Sequence, residues 1–137
     1  MEPKPLTEEE IEKLRELVRE RAQKLSEDDL RGLLEKEAKV EKRVSALSAS
    51  LPRLASNVHL GFGLVKDYVQ GNYRKIPWWS VASVAAALGY FLTPTDLLPD
   101  FLPGIGYLDD ATVLALVLSS IRQDLKKYAE AKGLRLE

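Results

Sequence analysis

Residues 76–110 read IPWWSVASVAAALGYFLTPTDLLPDFLPGIGYLDD, and this stretch decides the fold of the chain. Its first part, from Pro77 to Leu92, is apolar apart from two serines and the polar tips of the aromatic side chains. Its second part is interrupted by prolines and glycines and carries four aspartates. A helix that is apolar on all sides is either buried or faces lipid. The stretch therefore predicts an apolar helix, an Asp/Pro/Gly turn and a second apolar helix.

The length of the first apolar helix helps to decide between a buried and a lipid-facing position. Its sixteen residues, Pro77 to Leu92, span about 24 Å as a helix, whereas a bilayer core of about 30 Å needs about 20 residues. Pro94 disrupts an extension, so a clean single span is not favoured. A membrane hairpin of both apolar helices stays open, because no Lys or Arg occurs between Lys75 and Arg122 and the flanking bases would hold both ends in the cytoplasm.

Two charged amphipathic helices are predicted ahead of this stretch. Thr7 and Glu10 have the spacing of a capping box at the start of the first helix. The second helix, capped by Ser26 or Asp28, has a heptad stripe with Glu37 as its one charged interruption. Such a pair forms a helical hairpin that either docks on the core or self-associates as a coiled coil. The two stripes are Ile11, Leu14, Val18, Ala22, Leu25 and Leu30, Leu33, Val40, Val44, Leu47, Leu51.

The remaining boundaries come from proline, glycine and capping residues. Pro52 fits the first turn of a third helix, which Gly71 ends. The fifth helix begins at Asp109, continues through Tyr128 and stops at Gly133. The expected fold is all-α, a bundle of about five helices in one domain over residues 1–137. Residues 6–50 form the charged hairpin, and residues 51–132 form the helical core.

The four aspartates of the turn, Asp96, Asp100, Asp109 and Asp110, are the candidate site residues. The simplest interpretation is that they cap helices and form turns. A second interpretation is a hard-cation site, since Ca²⁺ and Mg²⁺ prefer oxygen ligands, although the spacing is not that of an EF-hand loop. The favoured source of balancing charge is Arg or Lys from the first half of the chain. No catalytic, cofactor or metal residue is assigned.

Two linked motifs resemble the bacterial YkvA-like family, a domain of unknown function. They are P-x-D-L-x-P-D at residues 94–100 and G-x-x-D-D at residues 106–110, preceded by the aromatic entry Pro77-Trp78-Trp79. The resemblance covers about residues 60–128 and leaves the charged helices outside it. It implies helices around the motifs, no established reaction and frequent prediction as membrane-associated, and it supplies no catalytic residues.

Composition and the lack of known motifs argue against several classes of function. The net charge is −1, which gives no general attraction to nucleic acid, and the chain has no cysteine. It has no motif of a P-loop, a dinucleotide fold, a serine hydrolase or a zinc protease, so we expect no enzyme. The N-terminus lacks an apolar signal segment, which favours the cytoplasm.

The favoured function is a non-catalytic helical interaction domain at the inner face of the cell membrane. Its expected partner is an unknown protein, a second copy bound through the first two helices, or the membrane surface. An integral membrane hairpin and a divalent-cation-binding domain are the alternatives.

Overall fold

The computed structural model describes residues 7–92 and 110–134, with side chains except at positions 110–113. These ranges contain seven helices and no strand, which confirms the all-α class. The helices are α1 (Glu8–Lys24), α2 (Glu27–Leu34), α3 (Glu37–Ser48), α4 (Pro52–Val69), α5 (Trp78–Leu92), α6 (Asp110–Ser120) and α7 (Arg122–Ala131).

Helix α1 begins with the predicted capping box. The Thr7 side chain accepts a hydrogen bond from the Glu10 amide at 3.1 Å, and the Glu10 carboxylate accepts one from the Thr7 amide at 3.0 Å. Two amide groups that have no partner within the helix are thereby satisfied. The apolar stripe of α1 is buried at Leu14, Val18 and Ala22, where the helix packs against α5.

The prediction of one continuous second helix is wrong. The chain forms α2 and α3, which are separated by a turn at Glu35 and Lys36. The stripe still points inward on both sides of this break, since Leu30, Leu33 and Val40 are buried.

The charged interruption noted in the stripe lies at this break. Glu37 is the first residue of α3, and its carboxylate is 3.3 Å from the Lys66 ammonium group of α4. The heptad spacing continues across the turn, so periodicity alone does not reveal it.

Helices α4 and α5 form the centre of the molecule. Pro52 is in the first turn of α4, as predicted, and Gly71 follows the helix with a φ of +80° that favours glycine. The two helices are antiparallel, because the ring of Tyr68 contacts that of Trp78 and Gly61 packs against Val84.

Helix α5 is surrounded by other helices. It packs against α1, α2, α3, α4 and α6, and eleven of its fifteen residues are buried. A helix that is apolar on every side and covered by other helices is a buried central helix. Along the described ranges, no helix combines the length and apolar character needed to cross a bilayer.

The last predicted helix is also divided in two. Ile121 interrupts it with φ −111° and ψ 21°, between α6 and α7. Just before it, the Ser120 hydroxyl donates to the carbonyl of Val117 at 2.7 Å, and such side-chain bonds compete with the helical pattern. The predicted apolar positions Ile121, Leu125 and Tyr128 are buried, and Gly133 has the left-handed backbone of a helix stop, with φ +71°. The described residues therefore form seven helices where about five were expected.

Candidate functional site

The aspartates predicted as site residues are not placed by the structure. Asp96, Asp100 and Asp109 lie outside the described residues. Asp110 is the first residue of α6, and its side chain is also outside the described set. Whether these carboxylates cap helices, pair with basic residues or bind a cation stays a prediction. Within the described part of the chain, no group of three or more His, Cys, Asp or Glu side chains is arranged to hold a metal ion.

The structure instead reveals a buried carboxylate that the sequence analysis did not single out. Asp67 of α4 is only 9% exposed. Its Oδ2 accepts a hydrogen bond of 2.5 Å from the Tyr128 hydroxyl of α7 and lies 3.2 Å from the Lys132 ammonium group. Its backbone carbonyl accepts hydrogen bonds from the amides of Asn72 and Tyr73. Asp67 thus joins the end of α4, the following loop and the last helix.

The surroundings of Asp67 and Tyr128 determine the pKa values of their side chains. Burial acts to raise the pKa of Asp67, but the hydrogen bonds from Tyr128 and Lys132 and the charge of Lys132 outweigh burial, so the pKa lies below its ordinary value. Burial raises the pKa of the Tyr128 hydroxyl far above its ordinary value, and the adjacent Asp67 carboxylate raises it further. At neutral pH the pair is therefore a carboxylate and a neutral phenol. This arrangement suits structural support, because neither group exchanges a proton near pH 7.

Gly63 makes room for this contact. A Cβ at position 63 would lie 3.1 Å from the Tyr128 hydroxyl oxygen, which is tighter than ordinary packing. Gly63 precedes Asp67 by four residues, so both face the same side of α4. A glycine and an aspartate at this spacing in an apolar helix are the sequence signal for the cluster, but nothing local identifies Tyr128 as the partner.

A second polar contact ties α7 to the start of α5. The hydroxyl of Ser80, a buried residue, donates to Asp124 at 2.5 Å. Burial raises the pKa of Tyr73, and the charge of Asp124 raises it further. The ring of Tyr73 contacts that of Tyr128 edge-on at 5.1 Å.

A cavity of about 330 Å³ lies between α1, α5 and α6, and we call it the α1–α5–α6 pocket. Its volume is at the lower end of the range for small-molecule sites. One side chain in it is unusual. The Ser83 residue is 1% exposed, and its hydroxyl has no hydrogen-bond partner in the described part of the chain. The lining residues are Arg15, Val18, Arg19, Trp79, Ser83, Leu116, Val117 and Ser120.

The outer part of this pocket combines a tryptophan with two arginines. Trp79 is 40% exposed, and the Arg19 guanidinium lies 5.4 Å from the centre of its ring. Arg15, one helical turn earlier, forms an exposed ion pair of 3.0 Å with Glu12. Among the described residues, no carboxylate lines this pocket. The mouth of the pocket therefore carries two guanidinium groups, of which that of Arg15 is paired with Glu12, and its wall includes the buried Ser83 hydroxyl.

A second cavity of similar size has a different character. It measures about 360 Å³ and lies between α1, α2 and α5. Asp28, Asp29 and Glu35 line it together with Arg21 and Lys36, so its charges largely cancel. None of the described residues that line this cavity has a buried hydroxyl without a hydrogen-bond partner. Of these two cavities, only the α1–α5–α6 pocket is lined by more basic than acidic described residues and by a buried hydroxyl without a hydrogen-bond partner.

These features define an all-α domain with a buried central helix, a structural polar cluster and a basic pocket at one end. Residues 80–116, from α5 into α6, match the family described as "Protein of unknown function (DUF1232)", which confirms the family resemblance of this segment.

The chain is also similar to a curated bacterial protein. It is 33% identical over 67 residues to the "Uncharacterized membrane protein YkvA" of Bacillus subtilis (strain 168). The similarity covers 49% of this chain and 63% of the length of that relative. No solved structure matches the chain.

Proposed function

We propose that this protein is a non-catalytic helical domain that binds peripherally to the cytoplasmic face of a membrane. The observation that carries the proposal is the surface formed by Trp79, Arg19 and Arg15. Tryptophan is favoured at the boundary between headgroups and acyl chains, because its ring is apolar and its N–H remains able to bond. Arginine beside it is attracted to anionic lipid, with about 1 kcal/mol for each basic residue near the surface.

The position of this surface on the fold supports docking without insertion. Trp79 is in the first turn of α5, and the rest of that helix is covered by its neighbours. The tryptophan ring and the arginine side chains can therefore reach a headgroup layer while the core of the protein remains intact. The name of the Bacillus relative includes the words membrane protein, which agrees with this proposal. Binding to a protein partner, or self-association through α1 to α3, is a further expectation.

Vesicle sedimentation tests the proposal. The full chain is mixed with vesicles of phosphatidylglycerol and phosphatidylcholine at increasing anionic fraction, and bound protein is measured in the pellet. We expect binding that rises with phosphatidylglycerol and falls with salt. Trp79→Ala should weaken it about tenfold, because a large apolar side chain no longer partitions into the interface.

A matched control lies at the other end of the central helix pair. Leu51 precedes α4 and is 44% exposed, similar to Trp79. Because α4 and α5 are antiparallel, Leu51→Ala removes an exposed apolar group far from the start of α5 and should leave vesicle binding unchanged. Equal effects of the two variants would contradict the proposed surface.

An alkaline carbonate wash of membranes from expressing cells separates the peripheral proposal from the integral hairpin. A peripheral protein is released into the supernatant by this treatment. Retention of the protein in the washed pellet would refute peripheral binding and support the hairpin alternative.

A further inference from the structure

We infer that the α1–α5–α6 pocket is a binding site for the phosphate group of an anionic phospholipid. This inference rests on the proposed membrane binding and assigns its specificity to one cavity. It depends on three observations that are independent of each other: the charge of the lining, the buried Ser83 hydroxyl and the tryptophan at the mouth.

The charge of the lining selects an anion. Arg15 and Arg19 are one turn apart on α1 and line the same cavity, whose lining within the described ranges has no acidic residue. Arg15 is paired with the exposed Glu12, so Arg19 is the principal anion ligand. Guanidinium groups present several N–H donors in a plane, which matches the oxygen atoms of a phosphate. The stacking of Arg19 on Trp79 holds that guanidinium at the mouth.

The Ser83 hydroxyl explains why the ligand enters the cavity. A buried hydroxyl without a partner destabilises a fold, so its retention inside a pocket needs a reason. Alanine at position 83 would avoid this destabilisation, because it has no hydroxyl group. The hydroxyl oxygen has less than 1 Å² of accessible surface, so a ligand oxygen satisfies it only when the side chains between α1 and α6 move apart. The Ser120 hydroxyl also lines the pocket, and since it donates to Val117 it retains lone pairs for a ligand donor, such as a headgroup hydroxyl.

Trp79 at the mouth favours a lipid over a soluble phosphate ester. A soluble anion gains nothing from an exposed indole ring, whereas the glycerol backbone and first acyl carbons of a lipid do. Val18, Leu116 and Val117 add apolar surface to the same cavity. The lining thus has polar groups for a headgroup and an apolar wall for the chain that follows it.

Calorimetry with a short-chain lipid below its micelle concentration tests the site on the full chain. Dihexanoyl-phosphatidylglycerol is titrated into wild type, Ser83→Ala and Arg19→Gln. We expect Ser83→Ala to bind about tenfold more weakly, as for the loss of a hydrogen bond to a charged group. Arg19→Gln should bind about fivefold more weakly. Arg53→Gln and Ser56→Ala remove the same types of group at exposed positions of α4 and should bind as wild type does.

A second measurement distinguishes a ligand site from a structural role. Without lipid, Ser83→Ala should melt at a higher temperature than wild type, because the unsatisfied hydroxyl is gone. Greater stability combined with weaker binding identifies Ser83 as a ligand group. Unchanged lipid affinity in Ser83→Ala would overturn the inference, and so would inorganic phosphate binding as tightly as the lipid.

The outcomes separate this inference from the proposed function. If wild type sediments with phosphatidylglycerol vesicles and Ser83→Ala does so equally well, membrane binding stands and the pocket is not its site. If the short-chain lipid binds through Ser83 but the vesicles do not, the pocket stands as a lipid site and peripheral membrane docking is refuted.

Discussion

The Tyr128 hydroxyl donates a hydrogen bond of 2.5 Å to the Asp67 carboxylate, across 61 positions of sequence. This contact fixes α7 on α4 and buries both side chains. Removing one partner of a buried hydrogen bond leaves the other without compensation, so the contact is a sensitive point of the fold.

Tyr128→Phe removes the donor and keeps the ring. We expect the free energy of unfolding to fall by about 1–3 kcal/mol, because the buried Asp67 carboxylate loses its shortest bond. Urea denaturation measures the change. Tyr73→Phe is the control: it also removes one phenol hydroxyl, but its ring contacts Tyr128 only at the edge. A similar loss in both variants would contradict the special role of the Asp67 contact.

Acid should destabilise the fold through Asp67. Its pKa is lowered in the folded protein, so its contribution is present above the ordinary aspartate pKa of about 3.9 and is lost as the pH falls through the folded value. Asp67→Asn should therefore show a shallower loss of stability between about pH 4 and pH 2. Denaturation curves at a series of pH values measure this slope. Equal slopes for Asp67→Asn and wild type would refute the assignment.

High pH should destabilise the fold through Tyr128. Its pKa is raised in the folded protein, so its contribution is complete below the ordinary tyrosine pKa of about 10 and declines as the pH rises above that value. In Tyr128→Phe the loss of stability above about pH 10 should be smaller. Absorbance at alkaline pH should also show one tyrosine that ionises only on unfolding. Its persistence in Tyr128→Phe would mean that another tyrosine is responsible.

Gly63→Ala tests how tightly the cluster is packed. Alanine favours a helix over glycine by about 1 kcal/mol, but its Cβ would meet the Tyr128 hydroxyl at 3.1 Å. We expect no gain in the wild type and a gain of about 1 kcal/mol when Tyr128→Phe is also present. Gly32→Ala has open space around its Cβ and should stabilise by itself. Additive effects of Gly63→Ala and Tyr128→Phe would rule out the steric coupling.

The aspartate motif can be tested through Asp109. If it caps a helix, Asp109→Asn should cost little and Asp109→Ala about 0.5–2 kcal/mol. If it binds a cation, Ca²⁺ or Mg²⁺ should raise the melting temperature of wild type and have less effect on Asp109→Asn. Calorimetric titration with each ion measures binding directly. The absence of heat and of any thermal shift would exclude the cation site.

The predictable parts of the fold depend on local chemistry. The capping box at Thr7, the proline at position 52 and the glycine stops at positions 71 and 133 act within a few residues, so the sequence reveals them. The breaks at Lys36 and Ile121 were missed, because apolar spacing continues across both and the packing of each short helix on α4 or α5 sets the change of direction.

The candidate sites were less predictable, because they also depend on contacts between helices that are distant in sequence. Asp67 and Tyr128 are adjacent only because α7 returns to α4, and the basic pocket needs residues from three helices. Trp79 was noted only as part of the aromatic entry to the motif, and its contact with Arg19 depends on how α1 crosses α5. Composition and residue spacing describe each helix separately and do not predict how the helices pack on one another.

The packing of α1 on α5 also constrains how the chain folds during synthesis. Helix α1 ends at Lys24 and α5 begins at Trp78, so the ribosome makes the first helix several seconds before its partner. Until then the apolar stripe of Leu14, Val18 and Ala22 has nothing to cover it. The nascent chain therefore carries an amphipathic segment without its packing partner during this interval, and α1 gains most of its helical stability only when α5 has been made.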